Sequence, residues 1–507
     1  MTVNELYPAL AAACLVVLTA VVAVRLSSRL GLPTLLIYLA IGLLIGESGL
    51  GLRFDDADLT QTLGMAALAV ILAEGGLTTK WSVTRPVVGP SAVLASAGVA
   101  VSVGVTATIA FLVLDVDVRT AVLLGAVVSS TDAAAVFSVL RRLPVRRRMR
   151  ATLEAESGFN DPPVIILVTI VVSDAWEQAN IWVGLGQMLF QLVVGALVGL
   201  VVARLGQTLL SRSALPAAGL YPLATMAIAL LAFAVAGTAG ASGITAVYVA
   251  GLWLGNAPLP HRGATLGFAE GLAWFSQIGL FVLLGLLASP TRLPDALLPA
   301  LIVGGGLLLI ARPISVALCL TPFRVPLREQ AFMSWAGLRG AVPIVVATIP
   351  LSAGLPAAAR VFDVVFLLVV VFTLIQGPTL PVLARRLGVT EEVDTREMEI
   401  DSAPLETVGG SLVQLTVPRG SQLVGVWLDD LRLPAGAAVT LIVRGDATLV
   451  PDRHTVLAPG DHLLLVVTES VRSTAERRLR AIDRAGRLAE WKGEYGDEGG
   501  RQHRLTR

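Results

Sequence analysis

Apolar residues run in long unbroken blocks through most of the chain, separated by short polar loops. A helix that crosses a bilayer needs about 20 mostly apolar residues. Blocks of that kind lie near 6–26, 32–50, 62–77, 87–114, 119–140, 152–172 and 182–205. Others follow near 221–238, 243–255, 268–288, 296–320, 328–351 and 361–383. The pattern predicts roughly 13 spans, the ninth of them short. The first block is too long for a secretory h-region and has no Lys or Arg before it, so it reads as a retained helix.

The pattern changes after Leu387. A polar, acidic stretch is followed by short runs rich in Val, Leu and Thr, at Ser411–Pro418, Ala438–Arg444 and His462–Thr468, which predict strands. Ser421–Leu431 has the apolar spacing of a helix, and Ser470–Trp491 reads as an Arg-rich helix. The predicted fold is an all-α polytopic membrane protein with a small α+β domain behind it. The divisions are a membrane domain at 1–388, a linker at 389–402, the α+β domain at 403–470, and a charged helix with a disordered tail at 471–507.

Loop charge orients the spans. Arg25, Lys80, Arg85, the cluster from Arg141 to Arg150, Arg204, Arg324 and Arg385 fall in alternate loops, while Asp55, Asp56, Asp115, Asp117, Asp174 and Glu177 fall in the others. Basic loops stay in the cytoplasm. The N-terminus is therefore expected outside a bacterial plasma membrane, and everything after Arg386 inside.

Composition narrows the function. Of 507 residues, 55% are hydrophobic and 15% charged, and the mean hydropathy is +0.77. That excludes a disordered chain and an ordinary water-soluble enzyme. The formal net charge of +1 argues against nucleic acid as a partner and leaves the lipid bilayer as the main one. The Arg141–Arg150 cluster is explained as a topogenic loop. Cys14 and Cys319 form no CxxC or Cys/His cluster, and no Walker-type motif or nucleophile–base constellation is present. No resident cofactor and no enzymatic activity are expected.

Ionisable and polar residues inside spans are costly, so each is a functional candidate. Four places stand out: Glu74 in Ala73–Gly76, Ser129–Asp132, Glu156–Pro163, and Gly337–Gly340. Ser157 and Asp161 are four apart and share one helix face. Pro162 and Pro163 leave backbone carbonyls of the preceding turn without donors. A carboxylate, a hydroxyl and free carbonyls suit a hard cation. The competing structural reading has Asn160 or Asp161 as a helix cap, and Glu74 as an interfacial residue facing water. Ser129–Asp132 and Gly337–Gly340 each interrupt a span, as broken helices do at transporter sites. Spans four to six and eleven to thirteen then read as inverted repeats. Glycine packing explains Gly337 and Gly340 but not Arg339, for which Glu156 is the nearest unassigned acid.

At these residues the sequence resembles the NhaP-type monovalent cation/proton antiporters. The matching pieces are Glu74–Leu77, Ser130-Thr131-Asp132, Glu156-Ser157-Gly158-Phe159-Asn160-Asp161 and Gly337-Leu338-Arg339-Gly340, in family order across residues 1–388. The resemblance implies a thirteen-helix homodimer with a mobile six-helix core. It implies that Asp161 carries cation and proton alternately, that Ser157, Thr131 and Glu74 complete the ion shell, and that Asp132 faces the helix break. It further implies a structural ion pair between Glu156 and Arg339, and electroneutral exchange with Asn160 before the carrier. Residues 403–470 resemble the C-terminal ligand-binding (RCK_C or TrkA-C) subdomain of bacterial potassium-transport regulators, through Gly420–Gly425, Leu441–Arg444, Pro451 and Gly460-Asp461. That tail points to the potassium/proton branch, with K⁺ favoured and Na⁺ possible, and to cyclic di-AMP as a tail ligand. The rival readings are a sodium-coupled organic-solute symporter and a gated cation channel.

Overall fold

The computed structural model describes residues 3–30, 34–47, 49, 51, 54–132, 145–173, 176, 181–213, 215–390, 400–405, 410–445 and 447–485. The chain divides into two compact units, 1–391 and 392–507.

The first unit is helical. Its elements are α1 (Val3–Leu30), α2 (Thr34–Ile45), α3 (Ala57–Thr78), α4 (Trp81–Leu114), α5 (Val118–Ser129), α6 (Arg147–Val172) and α7 (Ile181–Arg212). They continue with α8 (Leu220–Thr238), α9 (Gly243–Asn256), α10 (Arg262–Leu287), α11 (Leu293–Phe323), α12 (Leu327–Trp335), α13 (Ala341–Ser352) and α14 (Ala358–Leu387). Eight of the described helices are long and apolar enough to cross a membrane, and shorter apolar helices fall in four of the five remaining blocks, while the ninth block forms the 14-residue α9. Residues 133–144, which hold the end of the fifth predicted span and part of the arginine cluster, lie outside the described residues, and so does the full count of spans.

Polar residues at the ends set where helices start. Asp56 accepts from the Leu59 amide at 2.8 Å, Asp117 from the Thr120 amide at 3.1 Å, and Ser242 from the Thr245 amide at 3.2 Å. Each satisfies an amide the helix cannot bond internally. Gly388 closes α14 at φ +63°, behind Arg385 and Arg386, whose charge suits the carbonyl end of the helix. Helices α3 and α9 touch backbone to backbone: a Cβ on Gly255 would stand 2.2 Å from the Leu77 carbonyl oxygen. Such close approach supplies packing where lipid provides no hydrophobic drive.

Two spans carry a π-turn, Leu94–Gly98 in α4 and Leu307–Ala311 in α11. The two regions meet. Ser315 on α11 donates its hydroxyl to the Gly98 carbonyl at 2.8 Å.

The second unit is an antiparallel five-stranded sheet in the order β1-β2-β5-β3-β4, with β1 Ile400–Leu405, β2 Gly410–Thr416, β3 Ala437–Arg444, β4 Ala447–Leu449 and β5 His462–Thr468. Alternation along β2 and β5 turns Val413, Leu415, Leu463, Leu465 and Val467 to one buried face. Helix α15 (Arg472–Ala485) adds Ala475, Leu479 and Ile482 to the same core. The helix expected at Ser421–Leu431 is not formed. The segment is a series of turns with Gly425 at φ +81°, ending in a single 3₁₀ turn at Leu428–Leu431. Leu423, Val426 and Leu431 are nonetheless buried, so their spacing serves a folded loop. Of the linker expected at 389–402, residues 400–402 are instead part of β1, paired with β2, and residues 391–399, like the tail from 486 onward, lie outside the described residues.

Candidate functional site: crossed helix breaks around Asp161

Helix α5 ends at Ser129, Ser130 leaves it in extended conformation, and Thr131 and Asp132 follow outside any helix or strand. Helix α12 ends at Trp335, and α13 begins at Ala341. The two breaks are joined. The Asp132 amide donates to the Leu338 carbonyl at 3.0 Å, and the Ala341 amide donates to Asp132 Oδ2 at 3.3 Å. Asp132 thus places negative charge at the amide end of α13, which the helix dipole favours. A Cβ on Gly340 would stand 1.5 Å from Asp132 Oδ2, so only glycine permits this approach.

Arg339 ties the other side of the joint. Its Nε donates to the Val128 carbonyl at 2.7 Å and an Nη donates to the Gly337 carbonyl at 2.6 Å. Those carbonyls lie at a helix end and in a break, where backbone acceptors lack intrahelical donors. The expected Glu156–Arg339 pair is not formed. Glu156 is instead held in a two-pronged pair by Arg312 of α11, with Nη2 to Oε2 at 2.8 Å and Nη1 on Oε1. Both partners are buried. The buried Arg339 can do without an acid because backbone carbonyls accept hydrogen bonds from its N–H groups. Arg312 carries the same signal in sequence as Arg339, a cation within the apolar stretch before Leu320, and applying one rule to both would have found it.

Helix α6 brings Glu156, Ser157, Asn160 and Asp161 against the first break. Asn160 Nδ2 donates to Thr131 Oγ1 at 2.6 Å, and Thr131 Oγ1 lies 3.0 Å from Ser157 Oγ. The Ser130 hydroxyl donates to Asp161 Oδ1. Asp161, Ser157, Thr131, Ser130 and Asn160 are all at most 3% exposed. Asn160 Oδ1 is buried without a hydrogen-bond partner. Opposite α6, Tyr248 of α9 packs where Gly158 leaves room, since a Cβ there would meet its ring at 2.7 Å, and Phe159 meets the same ring edge-on. At the far end, Arg119 forks onto the Val171 and Val172 carbonyls at 2.9 and 2.8 Å and closes α6.

Neither Asn160 nor Asp161 caps a helix, because α6 runs unbroken through both. Glu74 is half-buried on α3, its carbonyl accepting from Thr78 Oγ1 at 3.0 Å. Among the described residues its carboxylate is not bonded to Asp161, Ser157 or Thr131. The site therefore gathers Asp161, Ser157, Thr131, Asn160 and Asp132 and adds Ser130. Asp132 is engaged at the amide end of α13, which leaves Asp161 as the carboxylate that faces the neutral oxygens, and such a donor set suits a monovalent cation better than a divalent one, which recruits several carboxylates.

A family profile described as "Sodium/hydrogen exchanger, transmembrane" matches residues 16–386. The chain belongs to the sodium/hydrogen exchanger family. A second profile, the TrkA-C domain, matches residues 412–480. Among relatives within the family, a K(+)/H(+) antiporter NhaP2 of Shewanella sp. (strain ANA-3) is 39% identical over 87% of this chain and 78% of its own length. The K(+)/H(+) antiporter NhaP of Alkalimonas amylolytica is 38% identical over 89% of this chain and 79% of its own. The sodium proton antiporter MjNhaP1 of Methanocaldococcus jannaschii, solved at pH 8, shares the fold. Its TM-score is 0.66 at 22% identity, over 76% of this chain and 100% of that one.

Proposed function

We propose that the protein exchanges a monovalent cation for a proton across the membrane, with Asp161 as the group that carries each in turn. The observation behind this is a buried carboxylate with neutral oxygens around it, set where two broken helices cross. A carboxylate alone in a low-dielectric core is costly, and one proton or one cation neutralises it. Each filled form can pass between the two faces, and the empty anion is penalised. Exchange follows without ATP.

Ser157 and Thr131 supply neutral oxygens in this reading. Glu74 joins the ion shell only through movement of α3 or a bridging water. Asn160 and Asp132 hold the break in shape. With Asp161 the single variable charge, exchange is one for one and electroneutral. K⁺ is favoured as the cation, since the relatives at 38–39% identity are named for it, while Na⁺ is the alternative. The tail, on the cytoplasmic side of a homodimer, tunes the rate through a small ligand, for which cyclic di-AMP is the candidate to try.

The test is proton flux in proteoliposomes driven by K⁺ or Na⁺ at several pH values. Competition at one carboxylate predicts that apparent cation affinity falls as pH falls. Asp161→Asn is expected to abolish exchange in a folded protein. Exchange retained in that variant would remove Asp161 from the mechanism.

A further inference from the structure

Two adjacent serines in the first break have different fates. Ser129 is the last residue of α5, and its hydroxyl turns back to the Gly125 carbonyl at 2.6 Å, a bond internal to the helix. Ser130 is the first extended residue, with φ −65° and ψ 140°. Its side chain leaves the helix and ends on Asp161 Oδ1. It is fully buried. Two other hydroxyls near the carboxylate are engaged with each other: Thr131 accepts from Asn160 and pairs with Ser157. The titratable groups that face Asp161 from neighbouring elements are Asp132 at the break and Tyr248 of α9, and both are present in every variant compared below. Among the described residues no other side chain donates to Asp161.

We propose that the Ser130 hydroxyl is a positioning group that sets the balance between proton and cation at Asp161. This rests on the reading of Asp161 as the carrier. A hydroxyl has one proton to donate and two lone pairs to offer. Toward the ionised carboxylate Ser130 donates, which is the direction of its bond to Oδ1. Toward the protonated acid it accepts. Toward a bound cation it rotates and offers an oxygen. The three states do not value it equally, because a hydrogen bond to a charged acceptor is about twice as strong as one between neutral groups. Replacing the hydroxyl by hydrogen, as alanine does, therefore costs the ionised form most. The proton then holds Asp161 to a higher pH, and a cation competes less well at any given pH.

Proton-coupled K⁺ and Na⁺ exchange by the full-length protein in proteoliposomes, recorded from pH 5.5 to 9, reads this directly. Ser130→Ala is expected to exchange, with the acid limb of its pH profile moved upward by about one unit, roughly a tenfold loss of apparent cation affinity near that limb. Ser130→Thr, which keeps the hydroxyl, is expected to restore the wild-type profile. A structural role would lower the rate at every pH alike. Should Ser130→Ala turn over too slowly to profile, thermal stabilisation of the purified variant by KCl and NaCl, with choline chloride as control, reports the same competition at pH 6, 7 and 8. An unshifted pH profile or unshifted stabilisation in Ser130→Ala overturns the proposal. So does a threonine variant displaced as far as the alanine one. Asp161→Asn separates the two levels: if it still exchanges, the carrier assignment fails, whereas an inactive Asp161→Asn beside an unshifted Ser130→Ala sinks only the role of Ser130.

Discussion

Single residues carry sharply different burdens here. The Glu156–Arg312 pair is buried on both sides, and removing one partner leaves a charge without compensation, a loss of about 3–5 kcal/mol. Arg312→Ala is thus expected to lower the yield and melting temperature of the purified protein, and Glu156→Arg with Arg312→Glu to recover part of both. Arg339→Ala should cost less, since it frees two carbonyls and strands no acid; a larger loss than for Arg312→Ala would contradict the pairing found here. In the second unit Asp461 gives a pH-dependent case. Burial pushes its carboxyl up, but the Arg444 guanidinium and the Ala458 amide outweigh that and hold it below the ordinary carboxylate range. A depressed acid stabilises the fold above the unfolded value, about pH 4, and the contribution is lost as pH falls through the lower folded value. Asp461→Asn is expected to weaken the sheet by about 2–3 kcal/mol at neutral pH, read as faster amide exchange in residues 410–468. The gap from wild type should shrink below about pH 4.

Elements explain what was legible beforehand. Long apolar blocks announce spans because lipid demands them, and polar residues inside the blocks announce the breaks in α5 and between α12 and α13. Asp161 and Ser157 were visible as one helix face because α6 keeps its 3.6-residue period through Pro162 and Pro163. The partner of Glu156 was not visible. Pairing depends on which helices cross, and α11 lies 156 positions away in sequence. The Ser130–Asp161 bond was hidden for a related reason, since the direction of a side chain in an extended break follows no period. The Ser421–Leu431 turns show the converse: helical spacing in sequence can arise from a loop that buries three apolar residues. Gly340 tests the element directly. Any Cβ there collides with Asp132, so Gly340→Ala should pry the two breaks apart. Exchange is expected to fall at least tenfold, with a lower melting temperature; near-normal exchange would mean the joint tolerates separation.

At the scale of the whole molecule, the proposed carrier site lies within the first unit, and the second contains no apolar helix long enough to span a membrane among its described residues. Truncation after Leu387 is expected to leave exchange measurable while changing its response to pH or to added ligand. Complete loss in a well-folded truncation would assign the tail a part in transport. With one variable charge per cycle, the rate should be insensitive to a clamped membrane potential, and net charge movement with each turnover would rule out one-for-one exchange.

The π-turn at Leu307–Ala311 has a consequence for changes of length. Such a turn houses one residue more than the α-helical turn it replaces, and Arg312 follows it immediately. The surplus residue is a reserve. Deleting Leu309, whose side chain faces outward, lets the segment close into plain α-helix while Arg312 keeps its bearing on Glu156. Helix α6 has no such reserve. Deleting Ala155 turns everything beyond it by about 100° relative to what precedes it and carries Ser157 and Asp161 away from Ser130 and Thr131. Single-residue deletions scanned along both helices should therefore be tolerated at one point in α11 and rejected throughout the middle of α6.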